Sequence, residues 1–238
     1  MATLRRWRVA GLMLLVWVSL FAFSYTQSAS REEEQLLRLH RLLSSAQSKE
    51  AYFLSEQVVV DGRMESSVQT HAQSSPRLAK VSLRSRLTDT EDFRLQVYFH
   101  PEAVYLYSEN SGIWNKAAYN HPSVGELEGL RDPFAFWLRM LGEAESIEQT
   151  KEGMYSLTLQ PFRDDIHGIH VDDVIRAHMQ VQLDEQTGKV KSLKLDAELK
   201  PSIIKSRERL SYRITLLEEH EEPELTLPKE AMTAEPMP

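Results

Sequence analysis

The densest set of side chains able to do chemistry lies between Asp164 and His178. Asp164, Asp165, His167, His170, Asp172, Asp173 and His178 fall there, and imidazole mixed with carboxylate is a donor set that zinc accepts. His167 and His170 are three residues apart, with Gly168 between them and no HExxH helix around them. With no helix to present both rings on one face, the stretch reads as a solvated polar loop. No metal and no cofactor are expected. Cysteine is absent, so thiolate sites, disulfides and thiol nucleophiles cannot form. No GxSxG elbow occurs, and no Ser, His and Asp follow a recognised triad order. Carboxylates are frequent, but nothing separates a glycosidase pair from surface acids. The expectation is a non-enzyme with no catalytic residue.

A second set has chemistry of a softer kind. Phe93, Phe99, Tyr105, Tyr107, Trp114, Phe134 and Trp137 are joined by Leu95, Val97 and Leu138. Most of such a set is ordinary core. Tyr and Trp also suit a cavity mouth, being apolar in body with a polar tip. These residues are the candidates for lining an apolar cavity of about 300–1,000 Å3, the usual range for a ligand site.

The stretch 93–116, FRLQVYFHPEAVYLYSENSGIWNK, shows what must position them. Phe93, Leu95, Val97 and Phe99 alternate with Arg94, Gln96, Tyr98 and His100, the period of a strand with one buried face. His100-Pro101-Glu102 breaks the run and 103–108 resumes it. Asn110-Ser111-Gly112 then turns the chain into a third strand, because Asn and Gly tolerate positive φ. Further strands are expected at 52–60 and 64–72, joined by an Asp61-Gly62 hairpin turn. Others follow at 78–87, 146–151, 154–160, 177–184, 190–199 and 209–217. In 52–60, Glu56 is the exception on an otherwise apolar face. The stretch 162–175 reads as irregular or briefly helical.

Helices are few. Ser30 caps one, with Glu32, Glu33 and Glu34 facing the positive end of its dipole. Leu36, Leu39, Leu43 and Ala46 give it an apolar stripe, and it should end near Ser48. Ser123 and Glu126 form a capping box for a short turn. Asp132-Pro133 starts a stronger helix, with Phe134, Trp137, Leu138 and Leu141 as its stripe and Gly142 as its stop. These helices are not spaced as βαβ crossovers, so a parallel α/β sheet is not expected. The fold class is α+β: a large curled antiparallel sheet, an incomplete β-barrel, covered on its concave face by two or three helices.

Composition and charge narrow the function. Of 238 residues, 42% are apolar and 26% charged, which suits a globular body. The first thirty residues hold three Arg and no acid, so the net −7 places −10 on the remainder. Such a body repels phosphates, and nucleic acid is not an expected partner. Arg5, Arg6 and Arg8 precede an apolar run, 9–23, and Ser28-Ala29-Ser30 offers small residues for a peptidase. Residues 1–30 are therefore a signal peptide or an uncleaved N-terminal membrane anchor. Trp17, Leu20, Phe21 and Phe23 crowd the place where a cleavage region turns polar, which favours the anchor. The expected location is extracytoplasmic, tethered to the cytoplasmic membrane, with secretion after cleavage as the alternative. Residues 31–230 are expected to form one domain and 231–238 a disordered tail.

The order of elements resembles the LolA/LppX-like family of exported lipid- or lipoprotein-binding proteins. The points of likeness are the export signal with its leading helix, the Asp61-Gly62 hairpin and the YLYSENSGIWNK stretch. VQLDEQTGKVKSLKL and the closing TLPKEA add to them. The chain departs from the lipid-anchored members in having no lipobox cysteine. The resemblance implies an incomplete β-barrel closed by helices that binds acyl chains or a lipidated partner between sheet and helices. A protein-interaction or sensory domain of the cell envelope, with a protein partner, is the alternative on the same fold. The Glu-rich run 218–224 would suit a basic partner.

Overall fold

The structure is a computed structural model, and it describes residues 30–48, 51–73, 77–172, 174–184, 186–200, 207–217 and 224–237. Residues 30–47 form helix α1. By its contacts the chain divides at Leu39, and His40–Pro238 is one compact unit.

That unit is α+β and is built on one 12-stranded sheet, together with a separate two-stranded one. The first six strands are β1 (Tyr52–Val60), β2 (Arg63–Gln73), β3 (Leu78–Arg86), β4 (Asp92–His100), β5 (Ala103–Ser108) and β6 (Ile113–Ala117). Each pairs antiparallel with the next in sequence. Short turns make this the available topology, because two antiparallel strands need only a hairpin to join them. Asp61 and Gly62 both take positive φ, 50° and 79°, as a type I′ turn requires.

Helices α2 (Pro122–Arg131) and α3 (Pro133–Gly142) follow. Asp132 caps α3 by accepting from the Ala135 N–H, and Pro133 occupies the first turn, where its missing N–H costs nothing. Asp132 also accepts from Gln47 Nε2 at 2.6 Å, which ties the end of α1 to the α2–α3 corner. The capping box read at Ser123 involves the side chain of Glu126, which lies outside the described residues.

The second half contains β7 (Ala144–Lys151), β8 (Met154–Leu159), β11 (Val174–Leu183), β12 (Val190–Leu199) and β13 (Arg209–Leu217). Between β8 and β11 sit β9 (Asp164–Ile166) and β10 (Ile169–Val171), which pair only with each other. This hairpin replaces the irregular or helical stretch expected at 162–175. The whole strand order is β14-β6-β5-β4-β3-β2-β1-β13-β12-β11-β8-β7. Two antiparallel meanders are thus joined at one seam, the pairing of β1 with β13. The sheet does not close, so β7 and β14 are its edges.

Residues 231–237, expected to be a disordered tail, are ordered. A 3-10 turn at Lys229–Thr233 buries Ala231 completely, and β14 (Glu235–Pro236) pairs parallel with β6. This single parallel pairing makes the sheet mixed. The Gln73 side chain clamps the segment's start, donating to Leu225 O at 2.9 Å and accepting from Leu225 N at 2.7 Å.

The core has two sides. Val68, Val81, Val97, Phe99, Val104 and Leu106 pack with Val124 and Leu130 of α2, and Leu95 adds to them. Trp137 of α3 stacks on Tyr212 of β13, with ring centroids 5.0 Å apart. On the other side of the sheet, Tyr98 and Tyr105 pack with Leu225 and Ala231 of the C-terminal segment.

Candidate functional site

The site begins with Glu56. It stands in the middle of β1 on the buried side, between Leu54 and Val58, and it is 0% exposed. Alternation puts every second residue of a strand on one face, so a carboxylate in that register must enter the core. Buried charge demands partners. Two arrive from the other half of the chain. Tyr212 of β13 donates its hydroxyl to Glu56 Oε2. His167, at the tip of the β9–β10 hairpin, places Nε2 at 3.1 Å from the same oxygen. With the carboxylate ionised, that nitrogen carries the proton and donates. In the neutral ring Nδ1 then accepts from the Ser66 hydroxyl, 3.1 Å away on β2. Among the described residues Glu56 Oε1 has no hydrogen-bond partner.

The hairpin turn explains how a histidine reaches this depth. His167 and Gly168 both take positive φ, 53° and 77°. Gly168 N donates to Asp165 Oδ1 at 2.7 Å, closing the turn. Arg139 of α3 grips the hairpin's base through bonds to both oxygens of Asp164. Burial pushes the Tyr212 hydroxyl well above its ordinary value of 10.0; the charge of Glu56 and the bond to it add to the rise, and Trp137 opposes it. Tyr52, at the start of β1, is pushed up to about 12, chiefly by burial and then by Asp132 and Glu56, with Arg131 opposing.

Against this network lies an apolar cavity of about 600 Å3. Leu83 of β3, Leu127 and Leu130 of α2, Pro133, Ala135 and Phe136 of α3, and Ile166 of the hairpin line it. His167 and Tyr212 form part of its wall, and Asp132, Arg139 and Asp165 add polar groups. Ser66 is 2% exposed and is not on that wall. The Ser66–His167–Glu56 chain therefore has the bonding order of a nucleophile relay without a nucleophile that a substrate can reach. Its evident work is to hold the hairpin tip against the sheet.

The residues singled out in the sequence are divided by the structure. Phe93, Leu95, Val97 and Phe99 share one face of β4, and Leu95, Val97 and Phe99 enter the cluster under α2. Tyr105, Tyr107 and Trp114 lie on the opposite face: Tyr105 pairs with Tyr98, and Tyr107 stacks on Trp114 with centroids 4.9 Å apart. The set expected to line one cavity is thus split between the two faces of the sheet, because the β4–β5 register sets odd residues of one strand beside even residues of the other. Phe134 and Trp137 are 1% and 0% exposed and serve as packing, while Leu138 is half-buried. None of these lines the apolar cavity. Phe99 and Phe134 instead touch a second, more polar cavity of about 750 Å3 that includes Tyr52, Arg77 and Arg131.

The polar set has also been sorted. His167 points inward to Glu56, while His170 faces outward and stands 3.8 Å from Asp172. Asp173 lies outside the described residues. Among the described residues no three of His, Asp and Glu are grouped closely enough to hold a metal ion. Among them, too, no helix is long and apolar enough to cross a membrane, and the run 9–23 lies outside them. Sequence reasoning missed Glu56 and Tyr212 as a site. The signal was present in the break that Glu56 makes in an apolar face. Set against known proteins, the chain matches no family model and no curated sequence.

Proposed function

We propose that this chain is a non-catalytic binding protein of the cell envelope. Its ligand is an acyl chain, free or attached to a protein, held in the cavity between α2, α3, the sheet and the β9–β10 hairpin. The observation that carries this reading is the lining: Leu83, Leu127, Leu130, Pro133, Phe136 and Ile166 around about 600 Å3. That volume falls within the usual range of about 300–1,000 Å3 for ligand sites. Each methylene taken from water into such a lining is worth roughly 0.8 kcal/mol, so a chain of about ten needs no charged clamp.

The same reading is in keeping with the resemblance of the sequence's element order to the LolA/LppX-like family. An open sheet with helices against one face suits an incomplete β-barrel whose concave side is covered. Residues 1–30 would hold the domain outside the cytoplasmic membrane. Purified full-length chain should release lipid on organic extraction and mass spectrometry, and should take up a fluorescent acyl probe. Ala135→Trp, which puts an indole into the cavity, should weaken uptake about tenfold or more. A chain empty on extraction and indifferent to the probe would remove the reading.

A further inference from the structure

We infer that the cavity selects amphiphiles by the charge of the polar end, taking an ammonium or another hydrogen-bond donor and rejecting a carboxylate or phosphate. The inference rests on the cavity being a ligand site, and it adds the class of head group.

The polar groups on and behind the wall set the sign. Asp132 and Asp165 are on the wall itself. Arg139 is also there, but its guanidinium is bonded to both oxygens of Asp164. Behind His167 and Tyr212 lies Glu56, wholly buried, with no donor to Oε1 among the described residues. The Tyr212 hydroxyl and His167 Nε2 are both directed to Glu56 Oε2. The Arg131 guanidinium lies elsewhere, over the rings of Phe99 and Tyr119 at 5.9 and 5.7 Å. An anionic head placed here would meet like charge in a medium where water screens poorly, and would find the Tyr212 and His167 donors already engaged. A cationic or hydroxyl head would supply what the wall lacks. The net charge of −7 draws cations toward the molecule from a distance and repels anions.

Competition between two amphiphiles of equal chain length tests this. N-phenyl-1-naphthylamine, neutral and apolar, serves as the fluorescent reporter on the full chain. Dodecylamine, protonated at pH 7, and dodecanoate, ionised at pH 7, displace it below their micelle concentrations. Dodecylamine should compete at least about tenfold more tightly. In the variant carrying Asp132→Asn and Asp165→Asn, the ratio of the two competition constants should fall toward parity. Asp196→Asn, at a half-buried residue of β12 that pairs with Lys194 and is not on this wall, should leave that ratio as in wild type. Dodecanoate competing equally or better would overturn the charge selection while leaving the cavity reading in place. A preference untouched by the two Asn substitutions would overturn it as well, since its source would lie elsewhere. Failure of the neutral reporter to bind at all would remove both.

Discussion

Glu56 is the hub of the buried polar network. Its carboxylate is the common acceptor of Tyr212 and His167, and each partner is buried with it. Removing the acceptor leaves two buried donors without a bond, and each such orphan costs about 1–3 kcal/mol. Glu56→Ala should therefore lower the free energy of unfolding in urea by roughly 2–5 kcal/mol, the range expected when a buried polar network is broken. Glu56→Gln keeps an acceptor oxygen in place and should lose less than half as much. Equal losses for the two variants would show that volume, not hydrogen bonding, is what Glu56 supplies. The sequence marks this residue only as an interruption of an apolar alternation. What it cannot mark is the partner: Tyr212 is 156 positions away and reads as one more inward residue of a strand. His167 was visible as a polar residue in a polar loop, where a solvent-facing role is the common outcome. Its burial follows from a turn that no strong dipeptide signal announces.

At the scale of elements, long alternating strands were legible and short ones were not. β9 and β10 have three residues each, too few to show a period of two. Their hairpin nevertheless supplies a cavity wall and the inserted imidazole. The C-terminal segment escaped for a related reason. Its order comes from tertiary partners, the Gln73 clamp and the Tyr98–Tyr105 surface, which local composition does not reveal. Two glycines separate local geometry from packing at the elements that frame the cavity. Gly168 has φ +77 and Gly142 does not have positive φ, while a Cβ at either meets nothing within 4 Å. Gly168→Ala should cost about 1–2 kcal/mol, because a side chain disfavours the left-handed region even where there is room. Gly142→Ala, at the end of α3, should be neutral or should stabilise by about 0.4–1 kcal/mol through the unfolded chain. Paired thermal and urea unfolding would measure both. A loss at Gly142 matching that at Gly168 would mean that the helix end, not the hairpin turn, is the constrained one.

The whole sheet is held together at one seam. Strands β1 to β6 form one meander, and β7, β8, β11, β12 and β13 form the other, with β1 and β13 as the join. Val68, Val81 and Val97 belong to one apolar cluster in the first half, and in the second Met179 stands across from Leu157 and Leu195, all three 0% exposed. The seam carries the Glu56–Tyr212 bond and the inserted hairpin tip. Meanders can be read from hairpin turns along the sequence, but a pairing between the first strand and the last long one has no local signal. Contacts of such separation also cost the most chain entropy to close. Proteins open in cooperative units smaller than the whole, and the join between the two meanders is the place where such an opening is expected here. Tyr212→Phe removes one bond across the seam and leaves both of these apolar sets intact. Amide exchange measured by mass spectrometry should therefore accelerate about tenfold in peptides covering β1 and β13, the effect of a loss near 1.4 kcal/mol. Peptides covering β4 and β5, deep in the first meander, should change far less. Acceleration of equal size in all of these strands would mean that the sheet opens only as one body, and that the join is no weaker than the halves it connects.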